Sequence, residues 1–77
     1  MNEINDISLK IAHFLKKRRE ELNFTQEKLA ELAGIEYKHI QNLESFKRAN
    51  DPKLSTLIKL SDALGVKLSE LINVITE

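Results

Sequence analysis

The chain has no cysteine and no tryptophan, and among its 77 residues it has one proline and two glycines. Without cysteine neither a disulfide framework nor a thiolate metal site is available, which fits a reducing compartment. Scarce glycine and proline, with no segment of two-residue apolar alternation, exclude a turn-rich β architecture and any low-complexity linker. No apolar run is long enough to span a membrane, and the opening residues MNEINDISLK carry acidic groups, unlike a signal peptide. The expectation is a cytoplasmic protein with no membrane partner. Nor is there an excess of either charge: 12 basic and 12 acidic side chains give a net charge of zero. That balance weighs mildly against nucleic acid as partner, because phosphate neutralisation drives much of such binding. A chain this short is one domain at most, residues 1–77, with a thin stability margin.

What is present is a series of helical periods. The first runs to about Leu22, with Asn5 or Asp6 as its expected cap and Ile7, Ile11, Phe14, Leu15, Arg18 and Leu22 sharing a side. Thr25 then reads as an N-cap, Glu27 puts negative charge in the first turn, and Phe24 and Leu29 have the spacing of a hydrophobic staple. Leu29, Ala30 and Ala33 form one side of this second helix, and Gly34 stops it. Ile35 anchors a tight corner. In a third helix Glu36, Ile40, Leu43 and Glu44 lie on one side, with Lys38, Asn42 and Ser45 opposite. The polar stretch SFKRANDP loses the period and is read as a loop. Asp51 is the expected cap of a fourth helix with Pro52 at its first position, and Leu54, Leu57, Ile58, Leu60 and Leu64 are its expected buried side, ending at Gly65. A fifth helix, residues 67–77, carries Leu68, Leu71, Ile72 and Ile75 as an apolar stripe. The class is all-α with five helices.

The ordered series Thr25, Gln26, Leu29, Ala30, Gly34, Ile35, Ile40, Leu43 and Glu44 resembles the helix-turn-helix of the Cro/C1-type (XRE-like) family of DNA-binding regulators. The likeness extends upstream to Ile11, Leu15 and Arg19, and downstream through Pro52, Leu54, Leu57, the run Ala63-Leu64-Gly65-Val66, Leu68 and Leu71. It covers roughly residues 11–72, with the motif itself at about 25–45. The resemblance implies a five-helix, lambda-repressor-like DNA-binding domain. It also implies that Arg19 pairs with Glu44, joining the first helix to the third, and that bases are read from the first two positions and the sixth of the third helix, which match Tyr37, Lys38 and Asn42. Residues 1–10 lie outside it, and either lengthen the first helix or form an arm. Four features depart from the family pattern: Glu36 where a serine or threonine cap is commoner, Phe46 in place of glycine, a slightly longer loop to Pro52, and Lys67 in place of a small cap residue.

The side-chain chemistry points to the same helix. Lysine donates to guanine O6 and N7, and asparagine or glutamine bonds adenine N6 and N7 in pairs, so Lys38 and Asn42 are the leading base-contact candidates, with Tyr37 and Gln41 on the flank and His39 secondary. Phosphate contacts are expected from Thr25 and Gln26 at the start of the second helix, from the basic loop with Lys47, Arg48 and Asn50, and from Lys53. His13 and His39 lack any companion ligand spacing, so no metal is expected; no cofactor, nucleophile motif or phosphate loop is legible, and the chain is read as non-enzymatic. Leu68, Leu71, Ile72, Val74 and Ile75 exceed what one side of a helix needs against a small core, and suggest a homodimer on a palindromic operator in double-stranded DNA. The function this favours is a dimeric repressor or operon controller. The alternatives are an antitoxin of the same fold with a toxin partner, and an interaction module that does not bind DNA, for which zero net charge is the support.

Overall fold

A computed structural model describes residues 3–47 and 51–77, with side chains from Asp6 onward. The apolar periods become α1 (Glu3–Glu21), α2 (Gln26–Ala33), α3 (Tyr37–Leu43), α4 (Leu54–Leu64) and α5 (Leu68–Thr76). Among the described residues there is no strand. The fold is all-α, as the periodicity indicates. α1 packs on α5 and α3, α2 on α3 and α4, and α4 on α5, around Ile11, Leu15, Leu29, Ile40, Leu43, Leu60 and Leu64. Each of these buried side chains contributes about 1.5–3 kcal/mol by leaving water.

Three helix ends close in the same way. Asn23, Gly34 and Gly65 adopt left-handed φ of 59°, 67° and 67°. The residue after each, Phe24, Ile35 or Val66, donates its backbone N–H to a carbonyl five residues back, at 3.0 Å in every case. This is the Schellman arrangement, and the apolar residue that follows the left-handed one is half-buried each time. Glycine takes the conformation without a Cβ penalty, and asparagine tolerates it better than most residues do. The corner of the helix-turn-helix at Gly34 and the entry to it at Asn23 are therefore backbone-determined. At the start of α2, Thr25 Oγ1 accepts from the Lys28 N–H at 3.0 Å.

Several expectations need correction. α1 is helical from Glu3, so Asn5 and Asp6 lie inside it and neither is its cap; residues 3–10 lengthen the helix and form no arm. Its buried side is Ser8, Ile11, Ala12 and Leu15, while Ile7 is 37% exposed. α1 packs on α5 and α3, the small residues Ser8 and Ala12 take inner positions, and Ile7 is left at the rim.

α4 starts at Leu54, two positions later than Asp51 and Pro52 suggest, with Lys53 as an N-cap that makes no side-chain bond. Packing sets this start: the helix reaches the core first at Leu57, and its buried side is Leu57, Leu60, Ser61 and Leu64. Leu54 and Ile58 fall outside that arc and are 59% and 41% exposed. Ser61 is tolerated inside because its hydroxyl donates to the Ile58 carbonyl at 2.9 Å. At α5, Lys67 is the N-cap and its N–H is 3.5 Å from Glu70 Oε1.

Candidate nucleic-acid interface

α3 is only seven residues long, so its orientation depends on what holds it. Ile40 and Leu43 are buried on one side, and the next residue, Glu44, is 6% exposed although charged. A carboxylate so deep requires partners. Arg19 Nε donates to Glu44 Oε2 at 2.8 Å and Arg19 Nη2 to Oε1 at 3.0 Å, a two-pronged pair. The third arm of the guanidinium, Nη1, donates to the Phe24 carbonyl at 2.7 Å, and Gln26 Nε2 donates to Glu44 Oε1 at 3.1 Å. One carboxylate thus joins α1, the start of α2 and the end of α3. The hydrogen bond to Glu44, more than the Coulombic attraction, raises the Arg19 pKa above the ordinary arginine value despite the opposing effect of burial.

With that side fixed, the opposite side of α3 turns outward. Lys38 and His39 are exposed, Tyr37 is 43% exposed, and Gln41 and Asn42 are half-buried. Glu36 is the N-cap of α3 without a side-chain bond, leaving the first-turn N–H groups no help from that carboxylate. Lys38, His39 and Asn42 open onto one hollow of about 430 Å³, whose other walls are Gly34, Ile35, Glu36, Thr56 and Lys59. A lysine and an amide in one concavity offer donors for purine edges and an acceptor for adenine N6. Tyr37 and Gln41 do not line that hollow.

Among the described residues the remaining candidates lie outside that hollow. Thr25 is exposed, but its oxygen already accepts the cap bond. Gln26 is half-buried with its amide engaged by Glu44, so it serves first as an internal tie. Lys47 and Lys53 are exposed, whereas Arg48 and Asn50 lie outside the described residues. Phe46 is 54% exposed and borders a separate hollow over α1 with His13, Lys16, Lys17 and Glu20. Leu71 is completely buried in the chain's own core, so it has no surface to give a second copy. Leu68, Ile72, Val74 and Ile75 are half-buried.

Two residues that sequence reasoning passed over, Thr56 and Lys59, share the hollow with the leading base-contact candidates. Their place on the polar side of α4 was legible, but the approach of that side to α3 depends on how the helices cross.

Among the described residues no group of three or more His, Cys, Asp or Glu is placed to hold a metal ion, and no helix is long and apolar enough to cross a membrane. A comparison with curated proteins returned no match. A family model described as helix-turn-helix matches residues 15–71 of the chain, from the middle of α1 to the buried leucine of α5. By that match, over an all-α fold with the motif at α2 and α3, the chain belongs to the Cro/C1-type (XRE-like) helix-turn-helix family of DNA-binding regulators.

Proposed function

We propose that the chain is a dimeric transcriptional regulator, a repressor or operon controller, that recognises an inverted repeat by laying α3 in the major groove. The observation that carries this reading is the division of α3 into two sides. Ile40, Leu43 and the Arg19-bound Glu44 anchor one side, and Lys38 and Asn42 stand on the other. Lys38 and Asn42 read bases, with Tyr37, His39 and Gln41 touching neighbouring base edges or the groove wall. Thr25, Gln26, Lys47, Arg48, Asn50 and Lys53 position the protein on phosphates and carry no sequence information.

Dimerisation supplies two recognition helices roughly one turn of DNA apart, about 34–36 Å. The surface that joins the copies is the part of α5 left accessible by Leu68, Ile72, Val74 and Ile75, of which Ile75 also packs against the monomer core; Leu71 takes no part because it is buried in the monomer.

The test is enrichment of a duplex from a random-sequence library by the wild-type chain, followed by anisotropy titration on that duplex and on a scrambled one. The Lys38→Ala/Asn42→Ala variant should keep the fold by circular dichroism and lose the preference between the two. Equal wild-type affinity for both duplexes rejects the reading.

A further inference from the structure

We infer that Lys59, on α4, is a phosphate-binding residue that grips the DNA backbone beside the start of α3, away from the contacts expected from Gln26 and Lys47 at its other end. The inference rests on the proposed placement of α3 in the major groove and adds a contact to it.

An α-helix with its side chains is about 10–12 Å across, and the major groove is about 12 Å wide. A helix laid there has a sugar-phosphate ribbon on each side. Backbone contacts near both ends of the helix fix its angle in the groove; contacts near one end leave it free to pivot.

The phosphate candidates Gln26 and Lys47 gather at one end of α3. Gln26 is bonded to Glu44, the residue that ends α3, and Lys47 lies three positions beyond it. The 430 Å³ hollow lies beside the turn before α3 and its first residues, reaching along the helix to Asn42, and among the described residues none of the expected phosphate-binding cations lines it.

What lines it instead is Lys59, exposed, with the half-buried Thr56 one turn earlier on α4. Lys59 makes no ion pair among the described residues, so no carboxylate described there holds its ammonium. A cation already paired would exchange one salt bridge for another and gain little.

The other groups facing the hollow set its sign. Lys38 and His39 come from α3, Glu36 is the carboxylate on the rim, and Asn42 and Thr56 are neutral. Two ammonium groups against one carboxylate leave the concavity net positive. Beside Gly34 the space is open, with no atom beyond its own neighbours in the chain within 4 Å of where a Cβ would stand, so this wall does not obstruct a passing backbone. Thr56 offers a hydroxyl donor to the same ribbon.

The experiment compares wild type, Lys59→Ala, Lys59→Arg and Thr56→Ala on the enriched and scrambled duplexes, from about 50 to 200 mM salt. Lys59→Ala should weaken binding to both duplexes by the same factor. It should also make the slope of log K against log salt shallower by about 0.9, while Lys59→Arg keeps the wild-type slope. Thr56→Ala, which removes no charge, should leave the slope unchanged.

An unaltered slope and affinity in Lys59→Ala overturns the inference, and so does a change in the ratio between the two duplexes, which would make Lys59 a base reader. Failure of the α3 reading appears elsewhere: wild type would enrich no sequence, or Lys38→Ala/Asn42→Ala would keep its preference. The slope of Lys59→Ala on the scrambled duplex is measurable in either case.

Discussion

Replacing Glu44 with glutamine is a small chemical change with a large expected consequence. The substitution keeps the side chain's size and one of its acceptor oxygens. It turns the other oxygen into an NH2 group, which then faces an N–H of Arg19, because Nε and Nη2 now bond Oε2 and Oε1 separately at 2.8 and 3.0 Å. The guanidinium cannot withdraw to water easily: the Arg19 and Glu44 side chains are only 12% and 3% exposed, and Nη1 is held by the Phe24 carbonyl. Removing one partner of a buried pair costs about 3–5 kcal/mol, and the residual exposure of Arg19 places this case near 3 kcal/mol. For a chain of 77 residues, where 1 kcal/mol moves the midpoint by roughly 4–8 °C, Tm should fall by about 12–24 °C. Urea unfolding followed by circular dichroism measures the loss directly. A companion variant, Arg19→Met/Glu44→Leu, should recover most of it, since an apolar pair of similar volume strands no charge. A loss below about 1 kcal/mol in Glu44→Gln refutes the argument that the pair is buried and mutually dependent.

Other perturbations test other parts of the structure. The Arg19 pKa is raised in the fold, so the stabilisation it reports is complete at every pH below the ordinary arginine range and is lost only as pH climbs past the raised value; unfolding free energy should therefore show no decline traceable to Arg19 between neutral pH and mild alkali, and an Arg19-dependent fall in that window contradicts the assignment. Gly34→Ala meets no neighbour within 4 Å and is penalised by its φ of 67° alone, giving a loss of about 1–2 kcal/mol in a thermal or urea melt. Thr25→Ala should cost about 1 kcal/mol by deleting the cap bond to the Lys28 N–H. Leu71→Ala should cost about 2–5 kcal/mol in a dilute monomer, whereas Ile72→Asp should shift sedimentation equilibrium towards monomer with a smaller effect on the dilute melt; an unchanged mass distribution removes α5 as the dimer surface.

Helix positions were legible because local rules governed them. Thr25, Gly34 and Gly65 act through their own backbone or that of the next turn, so spacing alone was enough to place α2 and the end of α4. Asn23 does the same work as the two glycines at the end of α1, but asparagine is ambiguous between turn and surface. Rules that depend on a partner were less legible. Ile7, Leu54 and Ile58 have apolar side chains at helical spacing, yet the neighbouring helix covers a different arc of the cylinder, and Ser8, Ala12 and Ser61 are taken inside in their place. Periodicity specifies that a helix has a buried side, while the crossing angle of its neighbour decides where that side is centred.

The same distinction explains what could be read of the candidate site. Lys38 and Asn42 are four residues apart, and their outward direction follows from Ile40 and Leu43 on the same short helix. Their relation to the core is an intrahelical matter. Lys59 joins them from fifteen or more residues away, through the packing of α2 on both α3 and α4, and no pattern within α4 announces it. Leu71 is the converse case, an apolar residue whose spacing suits either a core or an interface. Which it serves depends on α5 lying along α1 and α4, which buries it completely. A charged side chain therefore enters the candidate site, and an apolar one leaves the candidate interface, for a single reason: in a chain this small each helix is the wall of more than one surface, and only the crossing geometry assigns its sides.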